Sequence, residues 1–266
     1  MKMSNKLIEN LSAIREQAPL VHNITNFVVM NTTANALLAI GASPVMAHAL
    51  HEVKDMVNIA SALVINMGTL SEEWVESMIV AGEKARERKI PVVFDPVGAG
   101  ATPYRTSSAL RIIETCKPNI IRGNASEIMA LVDQTMLTKG VDSSVAADVA
   151  LESAKILASG NNCVVVISGE IDFITDGIKV ESVGFGDQLM ARVTGMGCTA
   201  TAVLGAFAAT NPNTFQAAVF GMMVMGITGE CAASKSIGPG SMQMHFIDCL
   251  YSLSEIEIEK ATCILQ

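Results

Sequence analysis

Hydrophobic and polar positions along the chain fall into two alternating kinds of run. Four short runs are apolar and β-branched: ALVIN at 62–66, IPVVFD at 90–95, NII at 119–121 and CVVVI at 163–167. Each is bounded by glycine, proline, asparagine or serine, which is the mark of a buried strand. Longer stretches with helical spacing separate them. Residues 71–88 predict a helix with Ser71 as its cap and Glu72 and Glu73 in its first turn, where carboxylates suit the helix dipole. Residues 104–115, 125–132 and 143–158 predict three more. Strands alternating with helices predict an α/β protein with a mostly parallel sheet and helices on both faces.

The flanking regions read differently. VHNITNF at 21–27 is polar between two apolar stretches, and a helix is expected from about Phe27 to Ile40, stopped by Gly41, with Asn26 as a candidate cap. Residues 41–46, GASPVM, read as a tight extended connection. Residues 171–175 and 178–184 read as a hairpin turning at Asp176-Gly177. Helices are expected at 198–210, 214–234 and 241–254. No internal repeat or low-complexity linker divides the chain, so residues 1–266 are expected to form a single domain.

Composition narrows the partners. Half the residues are hydrophobic and 17% are charged, which ensures a sizeable core. The formal charge is -8 and no basic run occurs, which argues against a nucleic acid partner. The apolar runs near 200–209 and 219–228 are broken by glycine and fall short of the roughly 20 residues that span a bilayer. The N-terminal MKMSNKLIENL has no apolar signal core, so a cytoplasmic protein without membrane contact is expected. No two of the six cysteines have CxxC spacing, and reduced thiols are expected rather than zinc ligands or disulfides. The four histidines show no metal-ligand spacing.

A doubly wound sheet presents its ligand at the carboxyl ends of its strands. Met67-Gly68-Thr69, Asp95 to Gly100, Arg122 to Glu127 and Ser168-Gly169-Glu170 follow the four runs, and together they suggest a polar crevice. Asp95 suits either a metal or a helix cap. Arg122 suits a phosphate or a carboxylate. Asn124 and Glu127 form either a capping box or, through Glu127, a carboxylate that orders water around Mg²⁺. Met46 is either core filler or one wall of a small apolar pocket. The densest signal is VTGMGCTATA at 193–202. Gly195 and Gly197 precede Cys198 and a run of small helical residues, a turn that lets backbone N–H groups approach an anion. Its bland alternative is a glycine cap beside a buried cysteine. A helix N-terminus also lowers a thiol's pKa, so Cys198 is a candidate acid/base group.

Six segments in order, PLVHNITNFVVMNTTANALLAIGASPVM, ALVINMGTL, PVVFDPVGAGAT, IIRGNASEI, VISGEIDFITDG and VTGMGCTATA, resemble the hydroxyethylthiazole kinase family of the ribokinase-like superfamily. They cover roughly residues 19–210. The resemblance implies a three-layer α/β/α fold. It implies ATP-dependent phosphorylation of the alcohol of 4-methyl-5-(2-hydroxyethyl)thiazole, a salvage step toward thiamine diphosphate. It implies Mg²⁺ and a homotrimer with active sites between subunits. By position it implies Met46 and Gly195, with Asn26 and Gly68, as thiazole-contacting residues, Arg122 and Ser168 as ATP-contacting residues, and Asp95 and Glu127 as the acidic residues associated with Mg²⁺. Backbone N–H groups from Gly195, Met196, Gly197 and Cys198 would form the anion hole. Cys198 occupies the place where sugar kinases of the superfamily have an aspartate base. The rival readings are a hydroxymethylpyrimidine or pyridoxal kinase, an ATP-dependent NAD(P)H-hydrate dehydratase, and a nucleotide sensor without turnover. The N-terminal PLVHNITNFV and Cys198 favour the thiazole alcohol.

Overall fold

The computed structural model describes residues 2–132 and 143–263. Its strands are β1 (Leu20–Ile24), β2 (Ser43–Val45), β3 (Ala62–Asn66), β4 (Val92–Asp95), β5 (Ile120–Asn124), β6 (Val164–Ser168), β7 (Asp172–Thr175) and β8 (Val180–Val183). They form one sheet in the order β2-β1-β3-β4-β5-β6-β7-β8. The strands from β2 to β6 in that order are parallel, and β7 and β8 are antiparallel at one edge. The helices are α1 (Met3–Gln17), α2 (Met30–Ile40), α3 (Val53–Ile59), α4 (Glu72–Arg88), α5 (Pro103–Cys116), α6 (Ala125–Val132), α7 (Ser143–Asn161), α8 (Met196–Thr210), α9 (Thr214–Lys235), α10 (Pro239–Ser252) and α11 (Glu255–Cys263).

Alternation along each central strand feeds two separate cores. Val64, Val93, Ile120 and Val166 face one side, where α1, α2, α8, α9, α10 and α11 pack. Leu63, Ile65, Phe94, Ile121 and Val165 face the other, under α3 to α7. Both strand faces are covered, which is why these strands read as continuous apolar runs. The hairpin turns as expected: the Asp176 carboxylate accepts N–H from Ile178 at 3.0 Å and from Lys179 at 2.7 Å, and Gly177 takes φ +94°. Ser71 caps α4, its hydroxyl accepting from Trp74 N–H at 3.3 Å.

Several expectations need correction. The polar 21–27 segment carries β1, and the supposed connection at 41–46 carries β2. His22 and Asn23 of β1 are buried and each bonds to backbone: His22 Nε2 lies 2.7 Å from the Ala47 carbonyl, and burial holds its pKa below the usual value. The helix expected from Phe27 begins at Met30, because Asn26 instead folds a turn, its side chain accepting from Val28 N–H at 3.1 Å. β5 runs to Asn124 and β6 to Ser168, so Arg122 and Ser168 lie within strands and not after them. Among the described residues one helix, α9, is long and apolar enough to cross a membrane, with mean hydropathy 1.4 over its apolar window. That window is 78% buried, so the apolar sequence serves the core.

Helix α8 comes close to the sheet where Gly205 carries no side chain. A Cβ built at Gly205 would sit 2.6 Å from Val64 Cγ2 and 3.2 Å from Val21 Cγ1. Alanine improves helix propensity by about 1 kcal/mol over glycine, but overpacking costs about 1–3 kcal/mol. Gly205→Ala is therefore expected to cost up to about 2 kcal/mol net and to lower the melting temperature by as much as about 4–8 °C in a protein of this size. A calorimetric scan checks this, and a raised midpoint would mean that α8 is free to lift off β1 and β3.

Candidate active site

Strand β1 pairs with β2 on one side and β3 on the other, so the chain changes winding direction between β1 and β3. Ligand crevices open at such switch points. Asn26, just beyond β1, and Asn66, the last residue of β3, bond across this one: Asn26 Nδ2 donates to Asn66 Oδ1 at 2.8 Å. Gly68 N–H donates to the same oxygen at 3.0 Å. Asn66 Nδ2 donates to Asp95 Oδ2 at 2.9 Å, and Thr201 Oγ1 donates to that oxygen at 2.7 Å. One chain of bonds thus joins the ends of β1, β3 and β4 to α8. Met46 follows β2 at the same sheet end, half-buried, next to Ala47, whose carbonyl meets His22 Nε2.

Asp95 is 1% exposed, and its Oδ1 has no hydrogen-bond partner. Burial pushes its carboxyl up to about 6, against the pull of Arg122, Thr201 and Asn66. Arg122 Nη1 lies 3.8 Å from Asp95 Oδ2, and Nη2 donates to Ser168 Oγ at 2.6 Å. The guanidinium therefore sits between a carboxylate and a hydroxyl, with Nε left unpartnered.

The glycine turn faces this guanidinium. Gly195 takes φ +85°, and α8 starts at the next residue without a side-chain cap. The first helical bond at this end runs from Thr199 N–H to Gly195 O at 2.8 Å. The N–H groups of Met196, Gly197 and Cys198 precede it, on residues that are only part-buried. A Cβ at Gly197 would sit 2.6 Å from Arg122 Nη1, so bare backbone lies directly against the cation. Amides from a helix N-terminus beside an arginine make an anion site.

Cys198 departs from expectation. Burial and then the nearby Asp95 raise its pKa above the usual thiol value, outweighing hydrogen bonds from Asn66 and Asn26 and the charge of Arg122. Its Sγ accepts from Asn26 Nδ2 at 3.5 Å. The helix N-terminus does not deliver a thiolate at neutral pH, because the thiol is desolvated beside a carboxylate. Glu127 takes the capping role. Its Oε2 accepts from Asn124 N–H at 2.9 Å, and Asn124 Oδ1 accepts in turn from Glu127 N–H at 2.9 Å. Its Oε1 accepts from Gly98 N–H at 2.8 Å, tying the loop after β4 to α6.

Sequence reasoning missed three polar residues. Asn66 and Thr201 both hold Asp95, and both were findable: Asn66 ends a strand, and Thr201 follows Cys198 by three residues, on one helix face. Arg105 was not findable from any motif. Its guanidinium donates to the carbonyls of Val97 at 2.8 Å, Gly68 at 2.8 Å and Met67 at 3.0 Å, lacing together the loops after β3 and β4. Beside Asn26, Phe27 is 65% exposed and packs against Trp74 at 4.8 Å between centroids, with His48 a further 4.5 Å from Trp74. A cavity of about 880 Å³ lies on that aromatic flank, lined by His48, Trp74, Tyr104 and Arg111, and shares no residue with the Asp95 network.

Because its folded-state pKa is raised, Asp95 favours the folded chain most when protonated, and that contribution is lost as pH climbs from about 4 to about 6. Asp95→Asn is expected to raise stability at pH 7.5 by about 1–3 kcal/mol, a gain that shrinks toward zero by pH 4. Urea midpoints measured across that range check it. Equal or lower stability of the variant at pH 7.5 would mean that the carboxylate is well solvated.

The comparisons with known proteins agree with this architecture. The description "Hydroxyethylthiazole kinase family" matches residues 11–256. The chain is 53% identical over 258 residues to the hydroxyethylthiazole kinase of Nitratidesulfovibrio vulgaris strain DSM 19637 / Miyazaki F, covering 97% of each chain. The solved structure of hydroxyethylthiazole kinase from Pyrococcus horikoshii OT3 superposes with TM-score 0.89 at 42% identity, over 96% of both chains. A ribokinase-like superfamily protein from Enterococcus faecalis V583 superposes with TM-score 0.62 at 13% identity, over 89% of this chain and 87% of the other, and shares the fold alone. The chain has a ribokinase-like α/β fold and belongs to the hydroxyethylthiazole kinase family.

Proposed function

We propose that this kinase transfers the γ-phosphoryl group of ATP to the hydroxyl of 4-methyl-5-(2-hydroxyethyl)thiazole, giving the thiazole phosphate used in thiamine diphosphate biosynthesis, and that residues 1–266 act as one catalytic domain. The observation that carries this reading is the meeting of uncapped amides, the Arg122 guanidinium and the Asp95 network at one switch point.

Phosphoryl transfer passes through a loose transition state and needs positioning and charge stabilisation more than a strong base. The N–H groups of Gly195, Met196, Gly197 and Cys198 form the anion hole, and Arg122 adds a full positive charge beside it. Ser168 holds Arg122 in place and presents a hydroxyl toward ATP. Met46, Asn26, Gly68 and Gly195 line the acceptor pocket, with Asn26 fixed by Asn66. The unpartnered Oδ1 of Asp95 fits a cation or its water, whereas both oxygens of Glu127 already accept from backbone amides. Asp95 would therefore hold Mg²⁺, with Glu127 shaping its surroundings; when bound, the ion would neutralise charge on the phosphates. Burial and Asp95 make the Cys198 thiolate a minor species at neutral pH, and only that thiolate can take the hydroxyl proton, so Cys198 would act late and as a modest base, becoming the neutral thiol.

Exposed Phe27 and Val28 stand immediately beside Asn26, at 65% and 63% exposure. Apolar side chains at the lip of a site suit cover by a second subunit, which supports a homotrimer with active sites between subunits. Use of ATP suits the cytoplasm.

Purified protein with Mg²⁺ and ATP is expected to phosphorylate the hydroxyethylthiazole, with little turnover of hydroxymethylpyrimidine or pyridoxal, read by mass spectrometry of the products. Turnover of the pyrimidine or of pyridoxal alone would move the substrate to the neighbouring branch. ATP hydrolysis driven by hydrated NAD(P)H, or ATP binding without product, would replace the reading. Cys198→Ala is expected to lower kcat by about 10- to 100-fold with little change in KM. Cys198→Asp is expected to stay active. The wild type is expected to show a rise in kcat above the usual thiol value of about 8.5, and Cys198→Asp is expected to lack it. An unchanged kcat in Cys198→Ala would remove the base role and leave the anion hole standing.

A further inference from the structure

A second group of reactive side chains lies away from the site, where α9 meets α10. Cys231 and Lys235 are four residues apart on α9 and share a face. Cys249 on α10 points back at both. Cys231 Sγ donates to Cys249 Sγ at 2.8 Å, and Lys235 Nζ donates to Cys249 Sγ at 3.3 Å. We propose that Cys231 and Cys249 form a dithiol modification site, which low-molecular-weight disulfides of the glutathione type oxidise to a disulfide that clamps α9 to α10.

The geometry needs little adjustment. The sulfurs stand at 2.8 Å, within about 1 Å of the disulfide bond length of roughly 2.05 Å. Only residues 236–238 connect the two helices, so the sulfurs are held near each other by the fold. The other thiols lack these features. Cys116 and Cys163 are buried, with thiols pushed up to about 12 by burial, and Cys263 is exposed. Cys198 belongs to the crevice described above.

The two thiols have different tasks. Cys231 is half-buried and reachable, whereas Cys249 is 1% exposed and is pushed up to about 11 by burial, with Lys235 opposing. Cys231 thiolate attacks one sulfur of the small disulfide, whose S–S bond breaks and releases one thiolate that takes a proton from solvent. Cys249, its thiolate stabilised by the Lys235 ammonium, then attacks the Cys231 sulfur of the mixed disulfide. The second small thiolate leaves and is protonated. Two protein thiols are oxidised, and one small disulfide is reduced to two thiols. The clamp closes on helices that back the site. α9 carries Gly229, where a Cβ would overlap Met190 in the 3₁₀ turn Gln188–Arg192 that leads to Gly195, and α10 packs on α2.

The test is a titration of the whole protein with oxidised glutathione, read by thiol counting, intact mass and peptide mapping. The expected result is loss of two of the six thiols, a product two hydrogens lighter, a cross-linked Cys231–Cys249 peptide and a higher melting temperature, all reversed by dithiothreitol. Cys249→Ser is expected to trap a stable glutathione adduct on Cys231. Cys231→Ser is expected to leave Cys249 unmodified. Lys235→Met is expected to slow closure severalfold. If exposed Cys263 becomes glutathionylated while Cys231 and Cys249 both stay free in the wild type, the proposal fails. The wild-type map decides the matter even if a serine variant does not fold.

Discussion

A carboxylate buried at the end of a central strand has to be surrounded by donors, and that requirement organises this crevice. Asp95 ends β4 with almost no contact with solvent. Burial without partners would cost several kcal/mol. Asn66 from β3 and Thr201 from α8 supply two hydrogen bonds to one oxygen, and Arg122 from β5 supplies charge. Those residues in turn fix everything near them. Asn66 can serve Asp95 only by turning its oxygen toward Asn26 and Gly68, so the Asn26–Gly68 side of the crevice inherits its order from the carboxylate. Arg122 is drawn toward the same carboxylate, which sets it against the glycine turn.

That placement works only because α8 comes very close to the sheet. Gly205 lets the helix rest on Val64 and Val21, and Gly197 lets its first turn rest on Arg122. The second contact puts uncapped amides and a guanidinium on one spot, where an anion can satisfy both. The two cores then act as supports for the contact. Apolar strand residues alternate between them, and α9, the most apolar long helix among the described residues, packs alongside α8 on the same sheet face. Low aromatic content and abundant small residues suit such close helix-on-sheet packing.

How much of this was legible depends on how each residue acts. The central strands and the helices around them were readable, because strands buried on both faces are apolar without interruption. β1 and β2 were not. β1 places His22 and Asn23 in the interior, where they bond to neighbouring backbone, and β2 is a short edge strand containing Pro44. Composition gives no hint of a strand in either. The glycine turn, Arg122 and Asp95 were legible as chemistry at strand ends, although Arg122 and Ser168 prove to lie inside their strands. Arg105 left no signal, since it bonds only to backbone carbonyls and no partner side chain marks it. The thiol was misjudged for a physical reason. A helix N-terminus favours a thiolate, but desolvation beside Asp95 disfavours it more, and only the fold reveals that neighbour.

The unsatisfied groups are the final clue to what the crevice is for. Asp95 Oδ1 and Arg122 Nε lack partners, and the amides of Met196 to Cys198 have no cap. Buried polar groups in proteins usually find a partner, because leaving one unpaired costs about 1–3 kcal/mol. Here a carboxylate oxygen, a guanidinium edge and a row of amides stay open together within one crevice. A carboxylate calls for a cation and the other two call for an anion, so a single simple ion would leave part of the set unsatisfied. A phosphate chain carrying its own metal would satisfy all of it at once. The crevice is therefore arranged at the expense of the empty protein's stability, a cost that the nucleotide and cation proposed above would offset.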